Sequence, residues 1–142
     1  MTNTYTIYTD GGSRGNPGPA AAGFVIQGPD IHRVAHGEYI GVATNNVAEY
    51  SALLFALKHL RQDLGERASS AVVQVYSDSE LVVRQMKGEY KIKKDELRKI
   101  ATQIREVIMS FGDINFVHIP REKNTEADDM VNKALDEREE IK

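Results

Sequence analysis

The chain has 142 residues, a length that suits one compact domain (residues 1–142) able to bury a core without cross-links. Hydrophobic residues make up 41% and charged residues 27%, and cysteine is absent, which excludes a disordered chain, disulfides and thiolate metal sites and suits a reducing, cytoplasmic setting. The net charge of −3 excludes binding to nucleic acid by overall charge, and the lack of any long apolar run gives no reason to expect a membrane span or signal peptide.

Residues 4–9, TYTIYT, have the period of a strand. Asp10 follows, and then GGSRGNPGP, whose composition is that of a turn. Residues 20–28 and 33–42 read as two further strands, joined as a hairpin through GPDI. The stretch TNNVAEYSALLFALKHLRQDLGE places apolar residues at 48, 52, 53, 56, 57, 60 and 64, which is helix period, with Gly65 as its stop. Residues 71–77, AVVQVYS, form a short β-branched run that predicts a buried strand. Helices are expected at about 79–87 and 95–111, separated by KGEYKIKK. Residues 114–119 read as the last strand, and a final helix is expected over about 125–137. Short turns make the first three strands antiparallel, while the long helical crossovers leave the last two strands parallel to the first. The expected architecture is α/β, a mixed five-stranded sheet flanked by helices.

Four acids occupy comparable places on this map. Asp10 ends the first strand, Glu49 lies in the first turn of the first long helix, Asp78 lies just past the fourth strand, and Asp128 opens the last helix. If the first and fourth strands are parallel neighbours, Asp10 and Asp78 share the edge of the sheet where open α/β folds bind ligands. Each acid also has a humbler reading. Asn46 and Glu49, Ser77 and Glu80, and Thr125 and Asp128 all have capping-box spacing, and acids suit helix N-termini. Capping does not account for Asp10, which opens no helix. If the four converge, their mutual repulsion must raise at least one pKa, and a divalent cation is the natural remedy. Oxygen-only ligation suits Mg²⁺, with Mn²⁺ as a substitute. Two such ions about 3.5–4 Å apart stabilise both the attacking and the leaving oxygen of a phosphoryl displacement. The cluster therefore predicts a phosphodiester hydrolase.

Charge is distributed unevenly. Residues 84–99, RQMKGEYKIKKDELRK, hold seven Lys or Arg against three acids, whereas the tail LDEREEIK is mainly acidic. A local basic patch can bind a polyanion even on an acidic protein, although such a run is also an ordinary solvated helix face.

In four segments the sequence resembles the type 1 ribonuclease H family: YTDGGSRGNPGPAAAGFVI, TNNVAEYSALLFAL, VYSDSELVV and NTEADDMVNKA. The resemblance covers about residues 4–137, with the motifs in order and at compatible spacing. It implies a ribonuclease H-like fold and an endonuclease that hydrolyses the RNA strand of RNA–DNA hybrids, leaving 5′-phosphate and 3′-hydroxyl ends. It assigns Asp10, Glu49, Asp78 and Asp128 as the catalytic acids, holding two Mg²⁺ ions. It places Asn16 and Asn45 against the hybrid, where amides can read a 2′-OH as donor or acceptor. Gly11, Gly12 and Ser13 are expected to let the backbone approach the nucleic acid closely.

Several features depart from the family pattern. The segment FVHIPREKNTEAD lacks the Gly- and His-rich loop of many members, as in archaeal and some bacterial branches. His118 stands on the strand and is read as packing or surface, and Arg121 as the better candidate for a phosphate contact. Glu80 replaces a common Gln. His32, His36 and His59 have no ligand spacing. The basic segment is short for the family's extended handle, yet Lys87, Lys91, Lys93 and Lys94 are placed to bind the DNA-strand phosphates, with Tyr90 on a sugar or supporting the loop. No extra hybrid-binding segment is evident, so affinity is expected to be modest and salt-sensitive. The expected partner is the hybrid alone, with no protein partner and a monomeric chain. A non-catalytic hybrid-binding module of the same fold, a nuclease for double-stranded RNA or DNA junctions, and a cap-rich α/β protein without metal remain open as alternatives.

Overall fold

The computed structural model describes residues 3–141. Strands β1 (Thr4–Ser13), β2 (Gly18–Gln27), β3 (Val34–Ala43), β4 (Val72–Ser77) and β5 (Asp113–His118) form one sheet in the order β3-β2-β1-β4-β5. The β1–β2 and β2–β3 pairs are antiparallel, and β1–β4 and β4–β5 are parallel, as expected. The helices are α1 (Asn45–Leu64), α2 (Glu80–Met86), α3 (Asp95–Ile108) and α4 (Thr125–Ile141), with 3₁₀ turns at Gly65–Ser70 and Arg121–Lys123. No helix among the described residues is long and apolar enough to cross a membrane.

The main core lies between the sheet and the α1–α3 layer. Tyr5 and Ile7 of β1 and Phe24 and Ile26 of β2 meet Leu53, Leu57 and Leu60 of α1, which in turn meet Leu97 and Ile104 of α3. Burying each of these leucines stabilises the fold by about 1.5–3 kcal/mol. A smaller cluster, Ala21 with Val131, Ala134 and Leu135, seats α4 on β2.

Four sequence expectations are corrected. The glycines after Asp10 do not begin a turn. β1 continues through Gly11, Gly12 and Ser13, which pair with Ala22, Ala21 and Ala20. The turn shrinks to residues 14–17, with a cis Asn16–Pro17 bond and closure by the Arg14 N–H on the Pro19 carbonyl at 2.8 Å. Glu49 is the fifth residue of α1 rather than part of its first turn. The capping pairs expected for the first two helices are also displaced: Thr44, not Asn46, caps α1 through Val47 N–H, and Ser79, not Ser77, caps α2 through Val82 N–H. α3 also ends three residues early, where Phe111 turns into the core and Gly112 and Asp113 donate their N–H groups to the Ala71 carbonyl.

Candidate active site

The site begins with a mismatch in strand length. β1 and β4 pair up to Thr9 and Ser77, where β4 stops, while β1 runs on to Ser13. Asp10 therefore stands at a notch in the sheet, and Asp78 is the first residue past the end of β4.

Two helices close on that notch through glycines. A Cβ on Gly11 would lie 2.2 Å from the Ala48 carbonyl carbon and 2.4 Å from the Glu49 nitrogen, so α1 rests directly on the strand and delivers Glu49 beside Asp10. On the opposite side, Asp10, Gly23 and Gly37 form one row across three strands. Cβ atoms at Gly23 and Gly37 would meet the Ala127 and Met130 carbonyl oxygens of α4 at 2.6 and 2.1 Å. Only missing side chains allow α4 to lie this close, and it brings Asp128 to the same cleft.

One carboxylate oxygen each from Asp10, Glu49 and Asp78 lie within 4.8 Å of one another. Asp128 stands outside this trio but lines the cleft of about 340 Å³ with Asp10 and Glu49. Burial pushes the Asp10 carboxyl up to about 8, helped by the charges of Asp78 and Asp128, while a hydrogen bond from Gly11 N–H pulls the other way. Glu49 is raised well above the carboxylate range by burial first, and then by Asp10 and Asp78. Glu49 Oε2 and Asp78 Oδ2 are buried without a hydrogen-bond partner. Buried oxygens lacking any donor, in a cluster that repels itself, fit a divalent cation, and an all-carboxylate set fits a hard one.

Apart from Asn16 and Lys87, which line neither cleft, the remaining predicted binding residues fall into two places. Gly11, Gly12, Ser13, Asn45 and Arg121 line the acid cleft. Gly11 is small because α1 occupies the space above it. Gly12 has only Val131 Cγ1 at 3.8 Å and leaves the cleft open. Asn45 Oδ1 accepts from the Ser13 N–H (2.9 Å) and hydroxyl (3.1 Å), and Asn45 N–H donates to Asn16 Oδ1 (3.0 Å). The β1–β2 turn and the start of α1 are thus interlocked through carboxamide oxygens, with the amide NH₂ groups as the donors this interlock leaves over. Lys91, Lys93 and Lys94 line a second cleft of about 470 Å³ with Tyr90 and Asn46, and Asn46 adjoins Asn45 of the first. Arg84 lies over the Tyr90 ring at 5.3 Å, which supports the loop. His118 is exposed, with Nε2 3.3 Å from the Asp78 carbonyl, and His36 and His59 sit at the surface beside Glu38 and Asp63. Glu80 pairs with Arg84 at 2.8 Å.

Sequence reasoning gave no role to three residues that the structure places at the site. Asn124, 1% exposed, donates from Nδ2 to the Thr9 carbonyl at 2.9 Å and accepts Asp128 N–H on its own carbonyl at 3.2 Å, tying the Asp10 strand to the Asp128 helix. Asn132 donates to Asp128 Oδ2 at 3.4 Å, a contact its i+4 position already signals. Arg14 lines the cleft and pairs with Asp136 and Glu139 at 2.7 Å.

Comparison with known proteins agrees with this geometry. The model of the reverse transcriptase-like family matches residues 8–134. Ribonuclease HI of Halobacterium salinarum is 42% identical over 131 residues, which are 92% of this chain and 63% of that protein. A bifunctional protein of Mycobacterium tuberculosis is 42% identical over 132 residues, 92% of this chain and 35% of its own length. The chain thus spans less than two thirds of these relatives. Among solved structures, LC11-RNase H1 in complex with an RNA/DNA hybrid superimposes with a TM-score of 0.87 at 46% identity, covering 94% of this chain and 98% of that one. With its sheet order, its acid-lined notch and these relatives in agreement, the chain belongs to the type 1 ribonuclease H family.

Proposed function

We propose that this chain, as a single domain, is a metal-dependent endoribonuclease that hydrolyses the RNA strand of RNA–DNA hybrids, leaving 5′-phosphate and 3′-hydroxyl ends. The observation that carries the reading is the meeting of Asp10, Glu49 and Asp78 within 4.8 Å at the notch of the sheet, with Asp128 on the same cleft. These four acids are the residues that would hold two Mg²⁺ ions, or Mn²⁺ in their place. When bound, the ions supply positive charge to the attacking water and to the departing 3′-oxygen, so no protein nucleophile is needed. Arg121 lines the cleft as the cation for a phosphate, and Asn16, Asn45, Gly12 and Ser13 form the wall that meets the sugar edge of the RNA strand. Lys91, Lys93 and Lys94 hold phosphates of the DNA strand next to that wall. Among the described residues the exposed large apolar side chains, Val42, Tyr90 and Met109, lie one each on β3, before α3 and after α3, which supports a monomer, and a cysteine-free chain suits the cytoplasm.

The decisive experiment sets labelled duplexes of one sequence, RNA–DNA, DNA–DNA and RNA–RNA, against a Mg²⁺ titration. The expected result is cutting of the RNA strand of the hybrid, dependent on metal, with DNA–DNA untouched. Equal cutting of DNA would remove the hybrid assignment, and tight binding without any cutting would leave a binding module.

A further inference from the structure

Gln85 lies in the last turn of α2, 5% exposed, at the floor of the basic cleft. It joins two parts of the chain that are distant in sequence. Its Oε1 accepts the hydroxyl of Tyr50 on α1, and its Nε2 donates to the Lys91 carbonyl at 3.1 Å. Tyr50 is wholly buried, and burial pushes its hydroxyl up to about 12, so it stays protonated and acts as the donor. That fixes the amide, with oxygen toward α1 and nitrogen toward the loop.

The core itself does not require a polar pair here. Phe and Leu would fill similar volume without desolvating a hydroxyl and an amide. What the pair adds is a hold on residue 91. Residues 88–94 form neither helix nor strand, and their backbone is fastened mostly at its two ends: Gly88 N–H to the Gln85 carbonyl, Glu89 and Tyr90 N–H to the Arg84 carbonyl, and Leu97 and Arg98 N–H to the Lys94 carbonyl, with Arg98 Nε on the Ile92 carbonyl at 2.8 Å between them. We infer that Gln85 is a positioning residue for nucleic-acid binding, pinning the Lys91 carbonyl to α1 so that Lys91, Lys93 and Lys94 stand as a fixed array beside the acid cleft. The inference rests on the hybrid-cutting function proposed above. Held in advance, the array binds phosphates without first being ordered, and that advantage disappears when the tether is cut.

The test compares Gln85→Leu with Tyr50→Phe, both in an Asp10→Asn background that leaves the hybrid uncut. Binding is followed over a salt series, and native-state cleavage after Lys91, Lys93 and Lys94 by a lysine-specific protease is followed without nucleic acid. Gln85→Leu should weaken binding about 5-fold at moderate salt, flatten the salt dependence and speed proteolysis at these lysines. Tyr50→Phe keeps the bond to Lys91, so it should lower the melting temperature while leaving the salt slope and the proteolysis near the parent's. If Gln85→Leu does not fold, the unbranched Gln85→Met serves in its place. Parent-like slope and proteolysis in the Gln85 variant would overturn the inference, and so would equal effects of the two substitutions, which would point to core damage. Failure of the Asp10→Asn parent to bind any hybrid would instead strike at the proposed function, and the proteolysis comparison would still decide whether Gln85 holds the loop.

Discussion

The acids at the notch beside β1 are held by main chain against main chain, whereas the middle of the lysine loop, residues 91 and 92, is held by side chains that reach out to main-chain carbonyls. Glu49 is fixed because α1 touches Gly11, and Asp128 because α4 touches Gly23 and Gly37. The lysine loop is tied by backbone bonds at its ends, to Arg84, Gln85 and the start of α3, and between them by the side chains of Gln85 on Lys91 and Arg98 on Ile92. The difference matches what each region must do. Reacting groups have to be placed to within about 0.5 Å, which helix-on-strand packing provides. Attraction between lysines and phosphates falls off slowly with distance and tolerates a looser mount. The acid region is therefore intolerant of change, while the basic region responds to change by degrees.

The largest effect should come from breaking the acid side at its chemistry. Asp10→Asn or Asp78→Asn should reduce cutting on the order of 10⁴-fold, as when one member of an interdependent set is removed, with the fold intact. Asp10→Asn should also change how stability follows pH. The folded Asp10 carboxyl lies at about 8 against an ordinary 3.8, so the folded state keeps a proton that the unfolded chain releases. This contribution is fully present below about pH 4 and is lost as pH rises to about 8, at a rate of at most ~1.4 kcal/mol per pH unit for one proton. Melting curves in chelator from pH 5 to 8.5 should therefore fall with pH for the wild type and stay flatter for Asp10→Asn, and added Mg²⁺ should restore the wild type at high pH. Parallel curves for the two proteins would mean that the acids do not strain the metal-free fold.

Breaking the mount rather than the chemistry comes next. Gly11→Ala puts a methyl 2.2 Å from the Ala48 carbonyl carbon, in backbone that cannot turn aside. It should cost roughly 3 kcal/mol or more and displace Glu49, so that activity falls even where the protein remains folded. Gly12→Ala, whose methyl would find its nearest neighbour at 3.8 Å, is the control and should change stability by under about 1 kcal/mol. Denaturant midpoints for the pair decide the matter. Similar losses at the two positions would show that strand glycine as such, not the seating of α1, is what matters.

The same packing explains what could and could not be read from the sequence. Asp10 and Asp78 were legible because an alternating run ends beside the first and a β-branched run beside the second, and long crossovers make their strands parallel. The role of Gly11 was not legible. In DGGSRGNPGP every residue favours a turn, and only the alanines opposite and the helix above make Gly11–Ser13 a strand. The capping residues were misplaced for a related reason: Thr44 and Ser79 each stand two positions from the Asn46 and Ser77 that the spacing of the acids singles out. Asn124 gave no sign of burial, since its partner is a backbone carbonyl 115 positions away. Gln85 did leave a trace, because Val82, at i−3, is buried on the same side of α2, where a polar residue is out of place.

The smallest effect, and the sharpest contrast, lies in the lysines. Replacing Lys91, Lys93 and Lys94 together with Ala in the Asp10→Asn background should weaken hybrid binding about 10-fold near 0.1 M salt. The logarithmic salt slope should shrink by up to ~0.9 for each phosphate that no longer has a lysine to neutralise it. In the otherwise wild-type protein, kcat at saturating hybrid should stay within about 2-fold, because these side chains line a different cleft from the acids. Single substitutions should each give a small part of the effect, since a charge array without fixed one-to-one geometry shares its work. The two regions are then separated by kinetics alone: the acids act on turnover, the lysines on affinity. A triple variant that kept its affinity and salt slope but lost turnover would reverse that division and place the loop within the chemistry of the cut.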